Sequence, residues 1–270
     1  LEELHPDRLQ IFGAAEIGYL TSLSVEKRKN SVKVLEKRDL PAIILARGLE
    51  PPDFLLELCE KRDTPLLRTT LTSSLLIERV SKYLEERLAP VTTMHGVLVD
   101  VLGMGILITG KSGIGKSECA LDLVTRGHRL VSDDVVIIRR LPLNILSGTS
   151  SDLIRYHMEI RGIGIVNVKD LFGITAIRKK KQMDLVVELV KWEPASVYER
   201  LGLGEDTLEI LGVDLPYLKV PVSPGRSVAT IVEVAARNQI LKLMGQHSAR
   251  DLERDIAEAT AAVAGDKVKV

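Results

Sequence analysis

The sequence has few aromatic side chains: one Trp, three Phe and five Tyr in 270 residues. The core must therefore be mostly aliphatic. Net charge is also lacking, since 37 basic and 37 acidic residues cancel and neither sign gathers at one end. That argues against a nucleic-acid or polyanion binder working through bulk charge. There is no apolar run long enough to span a bilayer and no signal-peptide pattern. Cysteine is scarce: Cys59 and Cys119 each sit in an amphipathic helical stretch, as buried apolar positions rather than a disulfide pair. A cytoplasmic, reduced protein with no membrane or nucleic-acid partner is expected. The chain opens on Leu1 rather than Met, so a preceding segment is expected as well.

What is present is ordinary globular composition, 45% hydrophobic and 27% charged, with one sharp motif. Gly110-Lys111-Ser112-Gly113-Ile114-Gly115-Lys116-Ser117 reads G-x-x-x-x-G-K-S, a phosphate-cradling loop. The apolar run Ile106–Thr109 precedes it and a helical pattern, Glu118–Val124, follows. The glycines let successive backbone N–H groups point at phosphate oxygens, and the helix start adds unpaired N–H groups and a positive dipole end. Lys116 is placed to reach the terminal phosphates and Ser117 to ligate Mg²⁺.

Two halves separate near Ala89-Pro90. In the first, strands at Ala42–Ala46 and Leu66–Arg68 alternate with helices at Pro52–Cys59 and Ser73–Leu88, which predicts a small α/β domain over 1–89. No catalytic constellation appears in it, and it is read as a structural or assembly domain. The second half, 90–270, opens with strands Val97–Leu102 and Ile106–Thr109 joined by Gly103-Met104-Gly105, a hairpin. A P-loop delivered by a hairpin predicts a mixed sheet with antiparallel pairs. Gly127 is placed to stop the P-loop helix. Strands are expected at Leu130-Val131, Val135–Ile138, Ile163–Val168 and Asp184–Val190, a loop at Leu141–Arg155, and helices at Val228–Leu243 and Ala249–Ala264.

Asp133-Asp134 follows the P-loop helix. Adjacent carboxylates on an extended segment would point to opposite sides and serve Mg²⁺ and proton transfer, and their proximity would raise one pKa. A turn-forming Asp pair capping amides is the plainer reading, and position relative to the P-loop favours the chemical one. His95 precedes the hairpin, and a lone His is commonly structural. Glu159–Ile165 is a second glycine-containing segment, explained equally by close backbone approach. Arg178–Lys181 reads as a solvated basic turn, and Pro221–Arg226 as a rigid turn with one cation at its tip.

Together these pieces resemble the HPr kinase/phosphorylase family. The resemblance runs through Met94–Val101, the P-loop, Arg126–Asp134, Glu159–Val168 with Leu171-Phe172-Gly173, Tyr198–Gly202, and Pro224–Arg226. It implies an α/β protein with a P-loop kinase/phosphorylase domain over 90–270, a mixed sheet and C-terminal helices. It also implies an ATP- and Mg²⁺-dependent protein-serine kinase acting on HPr. The same site would run phosphorolysis of phosphoseryl-HPr by inorganic phosphate, giving pyrophosphate. By the same resemblance Lys116 binds phosphates, Ser117 and Glu159 ligate Mg²⁺ with Asp133 assisting, and Asp134 is the general base and, in reverse, the acid. His95 tunes Asp134, and Arg200 stabilises the transferring phosphoryl group. Glu159-Ile160-Arg161-Gly162-Ile163-Gly164-Ile165-Val166-Asn167-Val168 serves both reactions, and Pro221-Val222-Ser223-Pro224-Gly225-Arg226 serves dephosphorylation. A homohexamer is implied too. The turn departs from the family's common P-V-R-P-G-R-N, with Ser223 and Ser227 at the Arg and Asn positions, which predicts weakened phosphorolysis. The competing expectations are a kinase-only homologue acting on HPr-like or other substrates, a small-molecule or phosphoenolpyruvate-carboxykinase-like kinase, and a nucleotide-responsive module without transfer.

Overall fold

The computed structural model describes residues 8–193 and 206–256 and divides into two compact units, residues 1–88 and 89–270. The first is built from β1 (Gln10–Phe12), α1 (Ala14–Ser22), α2 (Val25–Glu36), β2 (Ile43–Leu45), α3 (Asp53–Arg62), β3 (Leu66–Arg68) and α4 (Ser73–Leu88). Its strands form one parallel sheet in the order β1-β2-β3, as crossover helices require. Phe12, Leu20, Leu35, Ile43, Leu45, Leu55, Leu58 and Cys59 close its core. Cys59 and Cys119 are both free and buried.

The second unit contains β4 (Val91–His95), β5 (Val97–Val101), β6 (Met104–Gly110), α5 (Lys116–Thr125), β7 (Arg129–Ser132), β8 (Val135–Leu141), β9 (Ile145–Thr149), β10 (His157–Ile160) and β11 (Gly164–Asn167). It continues through α6 (Val168–Phe172), β12 (Lys180–Gln182), β13 (Leu185–Lys191), β14 (Thr207–Ile210), β15 (Val213–Val222) and α7 (Val228–Leu243). Its main sheet has six strands in the order β14-β15-β13-β6-β5-β7. β6, β13 and β15 run parallel, and the remaining pairs are antiparallel, so the sheet is mixed. A second, antiparallel sheet has the order β12-β9-β8-β4.

Strand alternation assigns the two faces of the main sheet. Val97, Val99, Ile106, Ile108, Val187 and Leu189 join Ala120 and Leu123 of α5 and Val232 and Ala236 of α7 in one core. Leu98, Leu107 and Val186 point the other way, onto Val136, Ile138 and Leu146 of the second sheet. Burial on both faces is why these strands read as unbroken apolar runs.

The β5–β6 hairpin is present, but its turn is Leu102-Gly103, with φ of 55° and 86° and Val101 paired to Met104. Two positive φ values are what a two-residue loop needs to match strand twist. Met104 and Gly105 are strand residues, not turn. Gly105 is there for contact: a Cβ on it would lie 1.8 Å from the Gln182 carbonyl oxygen. The expected loop at Leu141–Arg155 is also overturned in part. Ile145–Thr149 is β9, an interior strand whose Gly148 accommodates the Leu98 side chain of the main sheet. Arg178–Lys181 is not a free solvated run either. Arg178 pairs with buried Asp100 at 2.5 Å, Lys181 lies 3.8 Å from Asp184, and Lys180-Lys181 starts β12. A helix begins at residue 248, and the part of Ala249–Ala264 beyond 256 lies outside the described residues.

Candidate active site

The three parallel strands end along one edge of the main sheet, where open α/β sheets place their ligands. Leu189 is level with Gly110, Val190 with Pro221 and Lys191 with Val222. The P-loop leaves β6 at this edge, and the Pro221–Arg226 turn leaves β15 at the same edge. Arg200 lies outside the described residues.

The P-loop geometry follows from its glycines. Gly110, Gly113 and Gly115 have φ of 134°, 78° and 104°. A Cβ on Gly110 would stand 2.4 Å from the Leu189 carbonyl oxygen, so only glycine fits between the strands there. Lys116 Nζ donates to the Gly110 and Lys111 carbonyls at 3.1 and 3.2 Å, holding the ammonium along the loop. Arg161 of the β10–β11 hairpin lies over the loop, its Nη2 2.8 Å from where a Gly113 Cβ would be. The sequence places Arg161 within Glu159–Val168, the segment the resemblance assigns to both reactions, but does not show that it faces the P-loop.

The acidic pair sits where one antiparallel ribbon passes between sheets. β5 pairs with β7 in the main sheet, and the same two chains continue as β4 and β8 in the second sheet. One crossing is Gly96, the other Asp133-Asp134, and they are tied by the Gly96 N–H donating to the Asp134 carbonyl at 2.9 Å. Gly96 is required because a Cβ would approach the Ile108 carbonyl oxygen to 2.7 Å. This construction sets His95 beside Asp134, Nδ1 to Oδ1 3.9 Å, with both side chains well exposed at 85% and 78%.

The two carboxylates do diverge, but not by strand alternation. Asp134 is left-handed at φ 65°, and that kink sends its side chain to solvent while Asp133 stays 6% exposed. Asp133 Oδ1 accepts from Ser117 Oγ at 2.9 Å and Oδ2 from the Glu159 N–H at 3.3 Å. Its pKa is raised, chiefly by burial; the hydrogen bond from Ser117 opposes the shift, and the charge of Asp134 is the smallest contributor. The expected like-charge effect is thus minor, and the raised group is Asp133.

Ser117, Asp133 and the Glu159 backbone are therefore one hydrogen-bonded cluster at the P-loop. Among the described residues no group of three or more His, Cys, Asp or Glu gathers as a metal site. Mg²⁺ needs no such cage, since one or two carboxylates plus substrate phosphates commonly hold it. A serine hydroxyl against a buried carboxylate fits a hard divalent cation, which would relieve the cost of ionising Asp133.

Of the expected Pro221–Arg226 turn, Pro221 and Val222 are the end of β15, and only Ser223–Arg226 is turn. Arg226 N–H donates to the Ser223 carbonyl at 3.3 Å, and Gly225 has φ 80° behind Pro224. This is a type II pattern. Ser227 then caps α7, accepting from the Thr230 N–H at 3.3 Å.

Comparison with known proteins gives a consistent result. Residues 86–256 match the HPr Serine kinase C-terminal domain, and residues 1–84 match the HPr Serine kinase N terminus. The chain is 51% identical over 255 residues to the HPr kinase/phosphorylase of Geobacter sulfurreducens, covering 94% of this chain and 80% of that one. It is 47% identical over 253 residues to the HPr kinase/phosphorylase of Geobacillus kaustophilus, covering 94% and 81%. Among solved structures, the HPr(Ser) kinase/phosphatase from Coxiella burnetii aligns with a TM-score of 0.53 at 35% identity, over 61% of this chain and 98% of that one.

Proposed function

This chain belongs to the HPr serine kinase family, and from that premise we infer that it phosphorylates a serine of the phosphocarrier protein HPr with ATP and reverses the modification by phosphorolysis. The observation that carries the reading is the Ser117–Asp133 hydrogen bond, which docks the acidic pair on the phosphate loop while leaving the Asp134 carboxylate 78% exposed. A base that must meet a hydroxyl on another protein has to stand outside the core, and Asp134 does.

The P-loop amides and Lys116 would hold the phosphates of ATP. Mg²⁺ would be held by Ser117 and Glu159 with Asp133 assisting, and would neutralise charge on the β- and γ-phosphates. The Asp134 carboxylate takes the proton of the seryl hydroxyl as its oxygen bonds to the γ-phosphorus. The bond from that phosphorus to the β-bridging oxygen breaks, and ADP departs. In phosphorolysis an oxygen of inorganic phosphate bonds to the phosphorus of phosphoserine. The bond to the serine oxygen breaks, Asp134 returns its proton to that oxygen, and pyrophosphate leaves. His95, at 3.9 Å, is proposed to adjust the protonation of Asp134. Arg161 over the P-loop and Arg226 at the turn are the cations proposed to meet phosphate oxygens. Arg200 is assigned to the transferring phosphoryl group on the resemblance alone.

A homohexamer and a cytoplasmic location are proposed on the same resemblance. Exposed Val234, Leu241, Leu243 and Met244 at and after α7 offer an apolar surface for self-association. No helix among the described residues is long and apolar enough to cross a membrane.

Mass spectrometry of HPr incubated first with ATP and then with inorganic phosphate tests the proposal. One phosphoryl group should be gained and then lost, with an equivalent of pyrophosphate appearing. ATP consumption with no modified HPr would overturn it.

A further inference from the structure

The last residues of the P-loop helix reach the helix that follows the Pro221–Arg226 turn. α5 ends with the His128 N–H donating to the Leu123 carbonyl at 3.1 Å and the Gly127 N–H to Val124 at 2.9 Å, with Gly127 left-handed at φ 92°. This Schellman ending fixes the directions of Arg126 and His128. Arg126 grips both carboxylate oxygens of Asp122, one turn back, at 3.0 Å each. Its Nη1 donates to Thr230 Oγ1 at 2.9 Å and Glu233 Oε2 at 3.1 Å, and its Nη2 to Ser227 Oγ at 3.2 Å. The other oxygen of Glu233, Oε1, lies 3.0 Å from Nε2 of buried His128.

An isolated exposed ion pair contributes little. This cluster differs because one planar guanidinium joins four side chains on two helices, and because apolar contacts of Leu123 with the core around Val232 and Ala236 already pack α5 beside α7. What the polar cluster adds is direction, at the first two turns of α7. Ser227 immediately follows Arg226, so clamping Ser227 anchors one foot of the turn. The other foot is anchored in β15, where Pro221 and Val222 pair with Val190 and Lys191 and the Val222 carbonyl accepts from the Trp192 N–H at 3.2 Å.

We propose that Arg126 and Glu233 are positioning residues for the Pro221–Arg226 turn, selectively governing the step that uses its cation, capture of inorganic phosphate for phosphorolysis. The proposal rests on the role given to that turn under the proposed function. Phosphoryl transfer from ATP, whose phosphates are cradled by the P-loop, depends on the clamp much less.

Glu233→Gln keeps the size of the side chain and removes its charge. Its KM for inorganic phosphate should rise about tenfold, inside the roughly hundredfold that a misplacement of about 1 Å can cost, while kcat and KM with ATP stay within about twofold. Phosphorolysis and pyrophosphate-driven phosphorylation are two directions of one equilibrium, so both must lose kcat/KM in equal proportion. Ser227→Ala removes one oxygen of the clamp and should give a smaller shift in the same sense, which keeps the test alive if the Gln variant does not fold. Loss of ATP-dependent phosphorylation equal to the loss of phosphorolysis in a folded variant, or an unchanged phosphate KM, would overturn the proposal. A readout independent of activity is the rate of tryptic cleavage after Arg226. It should rise several-fold in Glu233→Gln, and an unchanged rate would also overturn the clamp. If the unaltered protein modifies no HPr, the functional assignment fails and the cleavage rate alone decides the clamp.

Discussion

Ser117 donates its hydroxyl hydrogen bond to Asp133 across 2.9 Å, so the end of the phosphate loop and the start of the acidic pair form a single unit. The unit separates two carboxylates by environment. Asp133 is buried and hydrogen-bonded on both oxygens, while Asp134, turned out by its positive φ, is held only through its backbone and faces His95.

Asp134→Asn should therefore remove proton transfer and leave the scaffold intact. Phosphorylation of HPr is expected to fall by about 10²- to 10⁴-fold, the usual worth of a general base. Nucleotide affinity, measured by calorimetry, should be unchanged. A variant that kept transfer would show that Asp134 is not the base.

Asp133 should show itself in stability. Its native pKa is raised by burial, so the native state holds the proton more tightly than the unfolded chain does. That contribution is present in full below the ordinary carboxylate range and is lost as pH rises through the raised value. As pH rises from about 4 through that raised value, the unaltered protein should therefore lose stability relative to Asp133→Asn. Thermal unfolding of both proteins across that range checks this. Parallel pH profiles would sink it.

The parts of this molecule legible in the sequence are those whose signal is local. The P-loop, the αL stop at Gly127, the Pro-Gly turn at 224–225 and α7 each depend on a few adjacent residues. The central strands β5, β6 and β13 were legible because burial on both faces leaves unbroken apolar runs, whereas β14 and β15 were not anticipated. β1 has three residues and no period to read, and half the residues of α2 are charged. β9 was hidden by the loop-like letters Asn144, Ser147 and Gly148, the last of which gives Leu98 its close approach. Arg126 and His128 fall in one motif and Glu233 in an expected helix, but their meeting depends on how α5 and α7 pack, over a separation of more than 100 residues.

Glycines that look alike in sequence should differ in cost. Gly105→Ala puts a Cβ 1.8 Å from a backbone oxygen and is expected to destabilise by at least about 3 kcal/mol, at the upper end of overpacking effects. Gly103→Ala meets nothing within 4 Å but must hold φ 86°, costing about 1–2 kcal/mol. Denaturant midpoints at unchanged slope separate the two. Equal losses would mean that conformation, not contact, explains Gly105.

Ser223 and Ser227, the two departures in the turn, should also differ. Ser227 already caps α7, and Asn is an equally good cap, so Ser227→Asn is expected to be close to neutral in both reactions. Ser223 is the first residue of the turn, and its carbonyl rather than its side chain holds the turn closed, so a longer side chain fits without changing the backbone. Ser223→Arg adds a cation to the edge of the sheet where the P-loop opens. A hydrogen bond to a charged group is worth about 1.5–3 kcal/mol, so the KM for inorganic phosphate should fall roughly tenfold or more while the KM for ATP holds steady. Initial rates of pyrophosphate release at graded phosphate concentrations measure this directly. A phosphate KM unmoved by the new arginine would show that Ser223 does not face the phosphate, and that the turn works through Arg226 alone.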